Sequence, residues 1–413
     1  MSLIKKQAVI IGGGPGGLAA AAELKKKGID DLLILELEHW LGGILRQCIH
    51  DGFGLSRFGC SLSGPEYAGR FVEEVRRLGI PAETDTTVIG LDSHRTVTAV
   101  SRKGLARYQA EAVILAMGCR ERTRGALAIP GERPSGVFTA GTAQAYMNLK
   151  NKSIGRRAVI LGSGDIGMIM ARRLTLEGVK VEAVFEIQPY ASGLPRNIEQ
   201  CLKDYGIPLY LSHTVTDIKG AGRLEAVEVS RVDQRLQPIP GTEKIYPCDT
   251  LILSVGLIPE NELSRMAGIE MDPRTKGAVV DEFYQTSVPG IFAAGNVLHV
   301  HDLVDFVSLE AERLADSAAD YLRGKRIPAR IPVSAGGEIG YTVPQHITGT
   351  RDVTLSFRPR RPLRDSWVEI RQGERCLLRK KYPRLLPAVM ENIALPVSRL
   401  ISDSEIKVVT VNE

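Results

Sequence analysis

The pattern G-x-G-x-x-G occurs twice in this 413-residue chain, each time between a short apolar run and a helical stretch. Gly12, Gly14 and Gly17 carry it first, after a predicted strand at 9–11 and before a predicted helix at 18–27 that Gly28 stops. Gly162, Gly164 and Gly167 repeat it between a strand at 158–161 and a helix at 166–177. In both cycles the next strand (32–35, then 179–185) ends at an acid, Glu36 or Glu186, 19 residues beyond the last glycine. The pattern has a physical meaning. The first glycine allows a tight turn, the second lets a pyrophosphate reach the backbone, and the third lets helix and strand pack closely. The helix N-terminus then offers free N–H groups to phosphate, and the acid is placed to bind an adenosine ribose. A chain with this unit twice is built to hold two dinucleotides.

The chain is long enough for two or three domains. Its hydrophobic content of 44% and charged content of 24% are ordinary for a globular protein. No apolar run approaches the ~20 residues of a membrane span, and the start MSLIKKQAVII is too short for a signal peptide, so a cytoplasmic location is expected. The six cysteines are scattered without C-x-x-C spacing, which points to reduced thiols and no metal or iron–sulfur centre. The net charge of +5 is local. Residues 351–400 hold twelve Lys or Arg against five acids. No nucleic-acid motif accompanies them, so no nucleic acid is expected, and the segment reads as solvated or as a docking surface for an acidic partner.

Between the cycles, 65–78 has helical spacing, and 86–91, 96–101 and 105–108 alternate like an antiparallel meander. The apolar run 112–117, ending at Gly118, reads as a buried parallel strand. After the second cycle 225–231 reads as strand, and 250–255 is another buried run, ending at Gly256. Then come a short strand at 278–280, PGIFAAG at 289–295 and a long helix at 303–322. From about Ile327 prolines and alternating strands (353–357, 367–371, 374–378) announce a small β-rich domain.

The paired glycine loops, MGCRER at 117–122, SVGLIPEN at 254–261 and TSVPGIFAAGN at 286–296 resemble the two-dinucleotide flavoprotein reductases, over about residues 6–325. The resemblance implies an α/β fold of two Rossmann-like domains, an FAD domain interrupted by an NAD domain, plus the β-rich end. The domains would be 1–120, 121–260, 261–328 and 329–413. It further implies that Gly12, Gly14, Pro15, Gly16, Gly17 and Glu36 hold FAD, with Gly43, Arg46, Gly118, Gly295, Asn296 and Val304 around its flavin end. Gly162, Gly164, Asp165, Ile166, Gly167, Glu186 and Gly256 would hold NAD(H). Most of the family has Asp at the position of Asn296; an amide can still bond a ribityl hydroxyl. Glu186 would repel a 2′-phosphate, which favours NAD over NADP, although Arg196 lies near enough in sequence to accommodate one.

LGGILRQCIHDGFG at 41–54, GCRERTRGALAIPGERPSGVFTAGTAQ at 118–144 and GNVLHVHDLVDFVS at 295–308 look closer to a narrower group. These are the flavoprotein subunits of amine and amino-acid dehydrogenases, of the hydrogen cyanide synthase and opine oxidase type, and those accompanying glycerol-3-phosphate-dehydrogenase-like subunits. That resemblance implies a second flavoprotein dehydrogenase subunit as partner. With only Cys376 in the C-terminal segment, any iron–sulfur relay must lie on a partner. Disulfide-reductase chemistry needs two thiols within bonding reach, and only Cys48 lies near the Gly42–Gly43 loop. The expected chemistry is hydride transfer between nicotinamide and flavin, for which the protein supplies position and electrostatics. The helix end at Val304 would stabilise charge on the reduced ring. Cys48, His50 and His301 are the candidate catalytic residues, Cys48 as a peroxidase-type thiol in an alternative reading. Arg46, His50, His299 and His301 lie in loops expected to approach the flavin, or else simply hydrogen-bond loop backbone. A non-catalytic FAD-binding subunit is the remaining alternative.

Overall fold

The computed structural model describes residues 3–325 and 330–411. The chain divides into two compact units, 1–119 with 259–413, and 120–258. The expected border at 328/329 lies outside the described residues.

In the first unit the strand Leu3–Ile11 pairs in parallel with Leu32–Leu35 on one side and Gly104–Leu115 on the other. Side chains alternate faces, and both faces are covered. Ala8, Ile10, Leu32, Ile34, Ala112 and Ile114 meet helices Pro15–Lys26 and Val304–Leu322. Val9, Ile11, Leu33, Leu35, Val113 and Leu115 join a second core on the opposite side. This double burial is why the strand sequences are continuously apolar. The two helices share a core rich in small residues, among them Ala19–Ala22, Ala311, Ala315, Ala318 and Ala319.

The sequence divides 105–108 from 112–117, but the structure has one strand, Gly104–Leu115. Its first half pairs with the antiparallel strand Thr96–Ser101 and is half exposed. Its second half pairs with Ile291–Ala293 and is buried. One strand thus changes hydrophobic pattern because its neighbour on that side changes midway. The strand expected at 278–280 is reduced to isolated bridges, Met271 with Ala278 and Val280 with Thr286.

The second unit repeats the plan with a five-stranded parallel sheet. Arg157–Leu161 sits between Lys180–Glu186 and Thr250–Leu253, and Leu209–Leu211 and Val137–Thr139 form the edges. Helix Asp165–Leu176 covers one face, and an antiparallel sheet of His213–Lys219, Ala226–Arg231 and Lys244–Pro247 covers the other.

The C-terminal strands form sheets of five and three strands around Leu355, Phe357, Val368, Ile370, Ile406 and Val408. They are longer than the sequence predicts, Val353–Pro359, Leu363–Gln372 and Arg375–Leu385. Because Arg375–Leu385 is the edge strand of its sheet, its cations also guard that edge against pairing with other chains.

Phe292 is fully buried between sheet and helix, with Tyr321 edge-on at 5.8 Å. Phe292→Ala should lower unfolding stability by about 3–5 kcal/mol, read from the denaturant midpoint at constant m-value.

Candidate functional site

Each glycine loop follows the central strand of its sheet. Gly12 and Gly162 have φ of +108° and +99° and lie so close to the strand behind them that a side chain would strike Ala116 or Ser254 backbone. A Cβ on Gly17 would collide with the Gly12 carbonyl. These turns therefore require glycine, as the sequence predicts.

The acids close both loops in the same way. Glu36 Oε2 accepts the Gly13 N–H at 2.5 Å and Oε1 accepts the Glu38 N–H at 2.7 Å. Glu186 Oε2 accepts the Ser163 N–H at 3.0 Å and Oε1 accepts the Gln188 N–H at 2.9 Å. Burial pushes the Glu36 carboxyl up, and those two backbone donors pull against it. Both acids are thus loop braces. The second brace is more heavily used. Glu186 Oε2 also accepts Ser163 Oγ–H at 2.6 Å and Ser192 Oγ–H at 2.9 Å. Neither serine is marked by the glycine pattern.

The first loop fits a dinucleotide pyrophosphate. Helix Pro15–Lys26 starts at Gly14 with no side-chain cap and no acid in its first turn. An added Cβ at Gly14 would meet only Gly43 Cα, at 3.9 Å, and Gly42 and Gly43 turn through φ of +110° and +57° to bring that wall in. The second helix start is more occupied. Asp165 is in its first turn, with Oδ1 accepting from Leu194 N at 2.7 Å and Asn197 Nδ2 at 2.6 Å. Gly167 N donates to Ser254 Oγ at 2.9 Å. Ile166 lies in the same turn, and Arg196 is exposed on the short helix Pro195–Asn197. Within this unit a cavity of about 360 Å³ opens at the carboxyl ends of Val137–Thr139 and Thr250–Leu253, with Thr123, Arg124, Arg133 and Phe138 in its wall. Ligands of open α/β sheets bind outside those strand ends. A side chain at Gly118 or Gly256 would meet open space, and their carbonyls accept the Glu260 and Arg122 N–H groups respectively.

At the start of helix Val304–Leu322 the structure gathers residues that the sequence leaves far apart. Asp305 receives three backbone N–H groups, Gly54 at 2.9 Å, Ser56 at 3.0 Å and Arg57 at 2.8 Å, and so holds that loop on the helix end. The positive end expected at Val304 is therefore partly matched by this first-turn carboxylate. Asn296 Oδ1 accepts the His301 N–H at 2.9 Å, while Nδ2 points to Cys119 Sγ at 3.6 Å. Glu310 collects Gly295 N at 2.6 Å, His299 Nε2 at 3.0 Å and His301 Nε2 at 3.2 Å. Neither Asp305 nor Glu310 carries a local sequence signal, since Asp305 meets a loop about 250 residues away.

The three candidate catalytic residues do not form one constellation. Burial pushes the Cys48 thiol up to about 12, and its Sγ donates to Ile44 O at 3.4 Å. A thiol held up in this way carries little thiolate near neutral pH, so Cys48 is poorly poised as a nucleophile. The His301 side chain is 4% exposed and its Nε2 lies 3.2 Å from Glu310 Oε1, which places it in the internal brace. His50 packs against Phe53 at 4.9 Å with Nδ1 at 3.2 Å from Asp51 O, the loop-bonding role. Arg46 lies over the Trp40 ring, 5.9 Å from its centre.

Residues 6–321 match the pyridine nucleotide-disulphide oxidoreductase family, and the chain belongs to it. Its members use FAD and NAD(P)H. The chain is 28% identical to hydrogen cyanide synthase subunit HcnB of Pseudomonas aeruginosa, over 70% of this chain and 66% of that one. It is 27% identical to an NAD(P)H sulfur oxidoreductase (CoA-dependent) of Pyrococcus abyssi, over 73% and 64%. The match thus spans just under two thirds of these relatives' lengths. Among solved structures, T. acidophilum thioredoxin reductase shares the fold at a TM-score of 0.64, with 23% identity, covering 77% of this chain and 98% of that one. Among the described residues no helix is long and apolar enough to cross a membrane.

Cys376 is exposed, whereas Cys48 and Cys248 are both pushed up to about 12 by burial. Alkylation of the folded chain at pH 8, mapped by mass spectrometry, should therefore label Cys376 first and leave Cys48 and Cys248 protected until denaturant is added.

Proposed function

We propose that the chain exchanges hydride between NAD(H) and bound FAD as the electron-transfer subunit of a multi-subunit dehydrogenase, working in the cytoplasm. The observation that carries this reading is the pair of loops with the same carboxylate brace, one in each unit. FAD, when bound, supplies the redox chemistry; the chain supplies its placement. Gly12–Gly17 and the uncapped helix start hold the pyrophosphate, and Glu36 offers its free lone pair to the ribose. Gly295 and Asn296 border the flavin end, where Asn296 Nδ2 is the donor available to a ribityl oxygen. In the second unit Glu186 disfavours a 2′-phosphate, and residues 187–195 bring no cation, so Arg196 on the next short helix is the first that could meet one.

The subunit role is supported by similarity to HcnB, which is a subunit of hydrogen cyanide synthase by name. It is also supported by the cysteine chemistry, because a self-contained thiol enzyme would need an acidic thiol, whereas burial pushes Cys48 up to about 12. The organic substrate would be oxidised on a partner dehydrogenase subunit. An iron–sulfur relay, where one is used, would sit on a partner as well.

The test is anaerobic titration of the flavin-loaded chain. NADH should bleach the flavin absorbance rapidly and NADPH at least tenfold more slowly, with sustained turnover only after a partner subunit is added. Bound flavin that neither nucleotide bleaches would overturn direct hydride exchange and favour the non-catalytic FAD-binding reading. Equal rates with both nucleotides would remove the NAD preference.

A further inference from the structure

We propose that His299, His301 and Glu310 bind a divalent first-row transition cation, of the Zn²⁺ or Fe²⁺ class, inside the first unit. One ligand atom from each lies within 4.8 Å of the others. His299 Nε2 is 3.0 Å from Glu310 Oε2, and His301 Nε2 is 3.2 Å from Oε1. Ligands held at about 2.0–2.2 Å around a tetrahedral ion stand roughly 3.3–3.6 Å apart, so small side-chain shifts would admit the ion. Two imidazole nitrogens with one carboxylate form a borderline donor set that suits these ions, whereas Mg²⁺ and Ca²⁺ prefer oxygen.

Two further observations point to a missing component. The side chains are only 1%, 4% and 8% exposed, and the ion-pair partners of Glu310 among the described residues are these two imidazoles. A buried carboxylate is stabilised by a positive charge beside it, which a bound cation would bring. In addition, the Nδ1 atoms of both histidines are buried without a hydrogen-bond partner. Hydrogen bonding within the trio therefore leaves two ring nitrogens unsatisfied whichever way the protons are assigned. A cation would bring charge to the carboxylate and take the two Nε2 lone pairs, each Nδ1 then carrying the ring proton.

The ion would be structural. Glu310 Oε1 also holds Gly295 N, and His301 N holds Asn296, so the ion would tie the Gly295–Asn296 turn and the loop after it to helix Val304–Leu322. From the C-terminal sheets Arg358 closes on the same loop, through Val300 O at 3.1 Å. The site stands independently of the hydride-transfer reading.

The test uses the full chain purified without chelator. Elemental analysis should find close to one equivalent of Zn or Fe. Protein stripped by chelator and reloaded with Co²⁺ should show visible d–d bands and a raised Tm. His301→Asn and Glu310→Gln, checked for folding by circular dichroism, should each lose the bands and the Tm gain. Wild-type protein with neither stoichiometric metal nor Co²⁺ bands would overturn the proposal and leave a proton-sharing network. Bands that persist in both variants would overturn it equally, by placing the ion elsewhere. Should neither variant fold, metal content and the Co²⁺ spectrum of the wild-type chain decide.

Discussion

A buried carboxylate gripping the backbone of a glycine loop is the interaction on which both nucleotide-binding units depend. The loops need glycine because the chain turns through positive φ against a neighbouring strand, and such turns are loose in the unfolded chain. Glu36 bonds Gly13 and Glu38, and Glu186 bonds Ser163 and Gln188, in the same geometry. Each brace fixes the turn, and the turn fixes the helix start whose free N–H groups meet phosphate. Ligand recognition therefore begins as a local folding problem.

The braces also distinguish the two units. The first leaves its helix start bare, while the second spends serine hydroxyls, Asp165 and Ser254 around the same place. A tightly held resident cofactor suits the first arrangement. A nucleotide that binds and leaves suits the second, where protein donors and acceptors already satisfy part of the site.

Around the helix Val304–Leu322 the same device recurs with longer reach. Asp305 holds the loop near Gly54, and Glu310 holds Gly295 and two histidines. Acids whose partners are backbone N–H groups or imidazoles arrange the segments that carry Asn296. The C-terminal sheets join this arrangement through Arg358, which reaches Val300 O, so that the β-rich end is structurally part of the first unit.

The sequence by itself determined the two Rossmann-like units, the glycine turns and the two braced acids. Those features are local: strand, turn, helix and acid follow one another within about 30 residues, and their periodicity and spacing survive in one dimension. The continuous strand Gly104–Leu115 escaped it because one strand pairs with two different neighbours. Only the tertiary structure decided that burial raises the Cys48 thiol and that His301 lies against Glu310. It alone brought Asp305 to the loop at Gly54. Burial and long-range hydrogen bonds set the chemistry of these side chains. Both depend on packing between segments that no sequence spacing connects.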